Sequence, residues 1–209
     1  MKNKIFIVGL PRTGTTSLCA AFLDLGCSVA HTAYTQAAVE TAQVIGDAPS
    51  FCDFPEFDQL FPGSKFIYLQ RDRRSWLLSA RGLLERFATE LESGRGVINP
   101  ILLRSYEKIF GSIAEVKMLS DDALLDCYAR HEEWVKTYFS QRPEALLCLD
   151  LSTLGAFERL GKFLDIKLEG KGFKKLNQNG EITAWKKLKH PLKIDSNLSG
   201  PQRRKYYAF

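Results

Sequence analysis

Phe6-Ile-Val-Gly-Leu-Pro-Arg-Thr-Gly-Thr-Thr-Ser-Leu18 reads as a buried strand running into a phosphate-binding loop and then a helix. From Gly9 the spacing is G-x-x-x-x-G followed by Thr15 and Thr16, so the glycines and hydroxyls of a nucleotide loop are present. Threonine stands where such loops carry the lysine that reaches the β and γ phosphates of ATP. The amides of Gly14, Thr15 and Thr16 at a helix start still offer unpaired N–H groups and the positive end of a helix dipole, which suits an anion. Arg12 is the only cation in the loop, displaced toward the strand.

Working outward, Lys4-Ile-Phe-Ile-Val8 is apolar on both faces and β-branched, as expected of a central strand in a parallel sheet covered by helices. Lys65–Leu69 and Ala145–Leu149 repeat the pattern, and Ser28–Ala30 and Ser50–Asp53 are shorter strand candidates. Helical spacing runs from Thr15 to Leu25 and from Arg73 to about Glu90; the stretch from Pro100 to Gln141 reads as two helices parted near Ser120. Strands alternating with helices predict a three-layer α/β fold, a P-loop NTPase-like parallel sheet flanked by helices, in a single domain over 1–209. In such sheets ligands sit beyond the carboxyl ends of the strands, which selects the loop after Val8 and the surroundings of His31, Asp53 and Arg71.

Composition narrows the class. The chain is 45% hydrophobic and 25% charged, and no apolar run approaches eighteen residues, so no membrane span and a cytoplasmic location are expected. The five cysteines lie apart, without metal-ligand spacing. A net charge of +5 suits an anionic ligand and is too small to argue for nucleic acid. Eight lysines fall between Lys167 and Lys193 against Glu169 and Glu181, a basic tail in want of a partner.

The loop P-R-T-G-T-T after a strand resembles the 5′-phosphosulfate loop of sulfotransferases that use 3′-phosphoadenosine 5′-phosphosulfate (PAPS), the arginine form being typical of tyrosylprotein sulfotransferases and many bacterial relatives. Arg71, at the end of a strand, is followed eight positions later by Ser79, the spacing with which that family binds the 3′-phosphate. Arginine gives such a dianion a planar charged fork, and a serine two turns into the helix adds a hydroxyl. Leu176-Asn-Gln-Asn-Gly-Glu-Ile-Thr-Ala-Trp185 resembles the loop covering the cofactor. Tyr128–Val135, the strand ending C-L-D-L-S and the helix F-E-R-L-G-K-F-L-D are similar to small bacterial sulfotransferases, with His131 as a structural helix residue. The resemblance implies that PAPS is held by Arg12, Thr13, Gly14, Thr15, Thr16, Ser17, Arg71, Ser79, Asn177 and Gly180, with Lys174, Lys175 or Lys186 near the 3′-phosphate and 3′,5′-bisphosphoadenosine (PAP) as product. No divalent metal is required.

Two catalytic residues are expected. Arg12 would stabilise charge on the oxygen bridging sulfur and the 5′-phosphate. Asp53, a dozen residues before Lys65, is the candidate base, with Phe51, Phe54 and Phe57 to raise its pKa by desolvation and with Glu56, His31 and Glu40 as alternatives. Asp53 capping a helix near Pro55 is the competing structural reading. The acceptor is a small molecule, carbohydrate or lipid; Trp76, Phe87, Tyr106 and Phe110 either line its cleft or belong to the core. The rival functions are a small-molecule kinase, with Asp150 ordering a metal, and a non-catalytic PAP-binding protein.

Overall fold

A computed structural model describes residues 3–94, 98–167, 172–174, 176 and 184–199. Five strands form one parallel sheet in the order β2-β3-β1-β4-β5: β1 (Ile5–Ile7), β2 (Val29–Ala30), β3 (Val44–Ile45), β4 (Lys65–Gln70) and β5 (Leu146–Asp150). The register pairs Ile5 with both Val44 and Lys65, which puts β1 at the centre. Side chains alternate across it. Phe6, Phe66 and Tyr68 face one layer with α2 (Gln36–Thr41), α3 (Asp47–Leu60) and α6 (Asp121–Tyr138); Ile7, Ile67 and Leu69 face the other with α1 (Thr15–Asp24) and α7 (Ala156–Leu164). Both faces are covered, which is why the strands read as continuous apolar runs.

A third apolar cluster joins the start of α3 to α4 (Arg73–Ser93), α5 (Pro100–Phe110), a 3-10 turn (Ile113–Met118) and α6. Trp76, Phe87 and Phe110 are buried there. A short helix α8 (Ala184–Lys187) precedes a segment that runs along the edge strand: Val29 N donates to Leu192 O and Ile194 N to Val29 O. Among the described residues no helix is long and apolar enough to cross a membrane.

One expected strand is corrected. Ser50–Asp53 is helical, part of α3, and the strand preceding β4 in the chain is the two-residue Val44–Ile45. Phe51, Phe54 and Phe57 recur at three-residue spacing and are all buried, which suits a helix packed on its core side. The carboxyl end of β3 therefore delivers Gly46 and Asp47, not Asp53, to the edge where ligands bind.

Candidate functional site

The loop after β1 is held in a strained shape by its neighbours. Gly9 sits against β4 so closely that a Cβ there would lie 2.6 Å from Leu69 Cβ and 2.8 Å from its backbone nitrogen. Gly14 adopts φ 110°, and Arg12, with a side chain, adopts φ 72°, a left-handed conformation that persists only where surroundings over-determine it. They do. Trp76 Nε1 donates to Pro11 O at 3.0 Å, Arg71 Nη1 to Arg12 O at 2.7 Å, and Arg12 Nε to Ser79 Oγ at 2.8 Å. Thr13 Oγ1 donates to Leu10 O at 2.7 Å, closing the turn from inside.

At the end of this loop α1 begins without a cap. Gly14 supplies no side chain, no carboxylate stands in the first turn, and Thr15 Oγ1 is buried with no hydrogen-bond partner among the described residues. A helix start with open amides and the positive end of its dipole suits an anion. It opens into a cavity of about 1010 Å³. α4 lines that cavity with Ser75, Ser79, Gly82 and Arg86, one helical face. Arg12 and Arg71 lie on the loop side. Burial, together with the like charges of Arg71 and Arg86, holds the Arg12 guanidinium below its ordinary pKa. Positive charge is thus concentrated ahead of any ligand, the electrostatic counterpart of the open helix end.

A second cavity, of about 510 Å³, shares Arg12, Gly14, Ser17, Arg71 and Leu176 with the first and lies on the β2–β3 side. Its polar groups come from the strand ends. His31 follows β2, with Nε2 2.9 Å from Thr16 Oγ1 in a hydrogen bond and the Trp185 ring 5.2 Å away. Burial, and then the charge of Lys193, lowers its pKa to about 4, so the imidazole is neutral near pH 7. Asp47 follows β3. A Cβ on Gly46 would meet Thr15 Cγ2 at 2.9 Å and Cys19 Sγ at 3.0 Å, so the missing side chain lets this strand end press against the start of α1. Burial raises the Asp47 carboxyl to about 6, against the lowering influence of the Ala48 amide, whose N–H donates to Oδ1 at 2.8 Å, and of Arg12.

Of the residues expected from the sequence, the structure brings Arg12, Thr13, Gly14, Thr15, Thr16, Ser17, Arg71 and Ser79 to these two adjoining cavities. Lys174 lines the first, with Nζ 2.8 Å from Asp24 Oδ2, and Lys186 the second. Asn177, Gly180 and Lys175 lie outside the described residues.

Asp53 lines neither cavity: it is fully buried, accepts from both terminal nitrogens of Arg104, one at 2.9 Å, and lies 3.6 Å from Lys108 Nζ. Glu56 is 3.8 Å from Lys108 Nζ, and the exposed Glu40 accepts from Gln36 along α2; neither lines either of these two cavities. His131 is a core residue bonded to Phe51 O at 2.6 Å. Tyr106 lines the second cavity, whereas Trp76 supports the loop from behind. Arg86 and Asp47 went unnoticed in the sequence. Arg86 lies seven residues after Ser79 on the same helical face, a spacing that could have found it. Asp47 follows a strand too short to show a period.

The arrangement can seat an extended anionic ligand against the arginines while a second molecule meets it at Arg12 and Gly14 from the Asp47 side. Among the described residues no cluster of three or more His, Cys, Asp or Glu is arranged to hold a metal ion. No individual curated protein matches the chain. A family model described as a sulfotransferase domain matches residues 4–39 and 32–182. That range contains all five strands, the uncapped loop and the arginine-lined face of α4, and with most of its length matched the chain belongs to the sulfotransferase domain family.

Proposed function

We propose that the protein transfers a sulfuryl group from PAPS to a hydroxyl or amine of an acceptor, releasing PAP. When bound, PAPS supplies a sulfuryl group joined through one oxygen to a phosphate that can take the bond's electrons. The larger cavity fits it: about 1010 Å³ suits a nucleotide, and its open helix end and arginines suit phosphates at two ends. Thr13 to Ser17 would hold the 5′ end, and Arg71, Ser79 and Arg86 the 3′-phosphate. Asn177 and Gly180 keep the covering role that the family resemblance implies. The observation that carries this assignment is the convergence of Arg12, Arg71 and Arg86 on an uncapped α1 whose loop has no lysine.

In this scheme Arg12 stabilises negative charge growing on the bridging oxygen, with the loop amides and the Thr15 hydroxyl alongside it. Asp47 takes the acceptor's proton. Its support is its place in the second cavity and a pKa near 6, which leaves it ionised at pH 7 yet basic enough to accept a proton. Asp53, committed to Arg104, becomes a structural residue. The test is incubation with sulfur-labelled PAPS and an extract of the source organism as acceptor pool. Label entering an acceptor in magnesium-free buffer supports the scheme. Transfer only from γ-labelled ATP, and only with magnesium, would overturn it in favour of a kinase.

A further inference from the structure

Helix α6 grips the turn between β4 and α4, the turn that carries Arg71. The pairing of β4 with β5 ends at Gln70 and Asp150, so Arg71 is the first residue beyond it, where backbone groups need partners outside the sheet. One side chain serves both of them. Tyr128 Oη accepts from Arg71 N at 3.0 Å and donates to Arg71 O at 3.3 Å. One turn further along α6, Glu132 Oε1 accepts from Gln70 Nε2 at 2.7 Å, and Glu132 Oε2 lies 3.5 Å from Arg73 Nη2. Residues four apart share a helical face, so α6 holds Gln70, Arg71 and Arg73 together.

The ring of Tyr128 is as fixed as its hydroxyl. It is buried, edge-on to Trp76 with centroids 4.7 Å apart, and Trp76 Nε1 in turn donates to Pro11 O in the loop after β1. Arg71 is thereby pinned at two ends, its backbone by Tyr128 and its guanidinium by Arg12 O at 2.7 Å. An arginine held in this way has little freedom left to lose when an anion enters the larger cavity, which it lines. A phenylalanine would pack against Trp76 equally well; what the hydroxyl adds is the hold on Arg71.

Resting on the sulfotransferase assignment, we propose that Tyr128 is a positioning residue, its hydroxyl setting the Arg71 backbone so that the guanidinium meets the 3′-phosphate of the nucleotide. It touches no reacting atom. It acts through Arg71, and its effect is on which nucleotide is held. A second hydroxyl on the same helix supplies the contrast: Tyr138 Oη donates to Asp58 Oδ2 at 2.9 Å, a carboxylate also bonded to Arg142, and Tyr138 lines neither cavity. Removing that hydroxyl loosens the framework and leaves Arg71 as it was.

The test is calorimetric titration of the full chain with PAP and with adenosine 5′-monophosphate, which lacks the 3′-phosphate. Wild type, Tyr128→Phe, Tyr138→Phe, Arg71→Ala and the double variant of Tyr128→Phe with Arg71→Ala are compared. Wild type is expected to prefer PAP. Tyr128→Phe should lower that preference about fivefold to tenfold, the effect of one lost hydrogen bond, while monophosphate affinity stays within about twofold of wild type. Tyr138→Phe should leave the preference within about twofold, and in the Arg71→Ala background Tyr128→Phe should change it no further. In wild type, hydrogen exchange at the Arg71 amide should slow more with PAP than with the monophosphate, a reading that needs no variant to fold. No preference in wild type, a preference unchanged in Tyr128→Phe, an equal loss for both nucleotides, a further loss in the double variant, or exchange that does not distinguish the nucleotides overturns the positioning role and leaves the sulfotransferase assignment standing. Failure of PAP to bind wild type overturns that assignment and the positioning role with it.

Discussion

Two aspartates six residues apart on α3, Asp53 fully buried and Asp47 partly so, do opposite things. Asp53 is bonded to both terminal nitrogens of Arg104 and approached by Lys108, so its charge is matched where it stands. Asp47, at the first turn, has only the Ala48 amide and the influence of Arg12 to offset its burial, and its pKa rises to about 6. A carboxylate buried with a full set of partners is part of the framework; one half-buried with few partners beside a cavity is placed for proton transfer. Aspartate content and nearby phenylalanines do not separate the two. What separates them is which one follows a strand.

The comparison breaks most visibly on activity. Asp47→Asn is expected to lower kcat/KM by roughly 10² to 10⁴, the range of a lost general base, while Asp53→Asn stays within about threefold once folded. Steady-state assays at pH 7.5 decide it, and a Asp53→Asn enzyme that folds but fails to turn over would exchange the roles. Arg12→Ala is expected to lower kcat by roughly 10² to 10³ as charge on the leaving oxygen loses its partner. Because Arg12 also lowers the Asp47 pKa, the acid limb of the residual rate should move above pH 6 in this variant. A limb that stays put would place the arginine's charge elsewhere.

Stability should show the reverse ranking. Asp53→Asn removes charged hydrogen bonds from a buried acceptor, and since Arg104 is left 41% exposed and can be rehydrated, the loss should be about 1.5 to 3 kcal/mol. In a chain of this size that is a fall in Tm of roughly 4 to 10 °C by calorimetry. Asp47→Asn should do the opposite. A carboxyl whose folded pKa is raised from 3.8 to about 6 costs stability once ionised, so the asparagine should raise Tm by a few degrees at pH 8, with the gain gone below pH 4. An unchanged Tm difference between pH 4 and 8 would mean that Asp47 is better solvated than its enclosure implies.

Much of the half around the uncapped loop was legible because its signals are local. An apolar strand just before Gly9, two glycines five apart and a helix start at Thr15 specify a loop whatever packs around it, and Arg71 with Ser79 follows from the same strand-to-helix geometry. The half beside β3 was not, because β3 is two residues long and a strand that short shows no alternation. Its signals were indirect: a lone glycine at Gly46, and phenylalanines at 51, 54 and 57 whose spacing marks a helix rather than a strand. The segment around Ser196 lines the same cavity as Tyr34 and Tyr106 by folding back onto the β2 edge, a contact between residues more than 160 apart in sequence that no local pattern encodes.

The central claim is that the arginine-lined cavity holds a bisphosphate nucleotide without a metal. Isothermal titration of the full chain with PAP in magnesium-free buffer tests it directly, beside Arg71→Ala and with Mg-ATP as comparator. The account predicts one site for PAP, an affinity reduced at least tenfold in Arg71→Ala, and little heat from Mg-ATP. Binding of Mg-ATP with none of PAP, or PAP binding indifferent to Arg71, would contradict it.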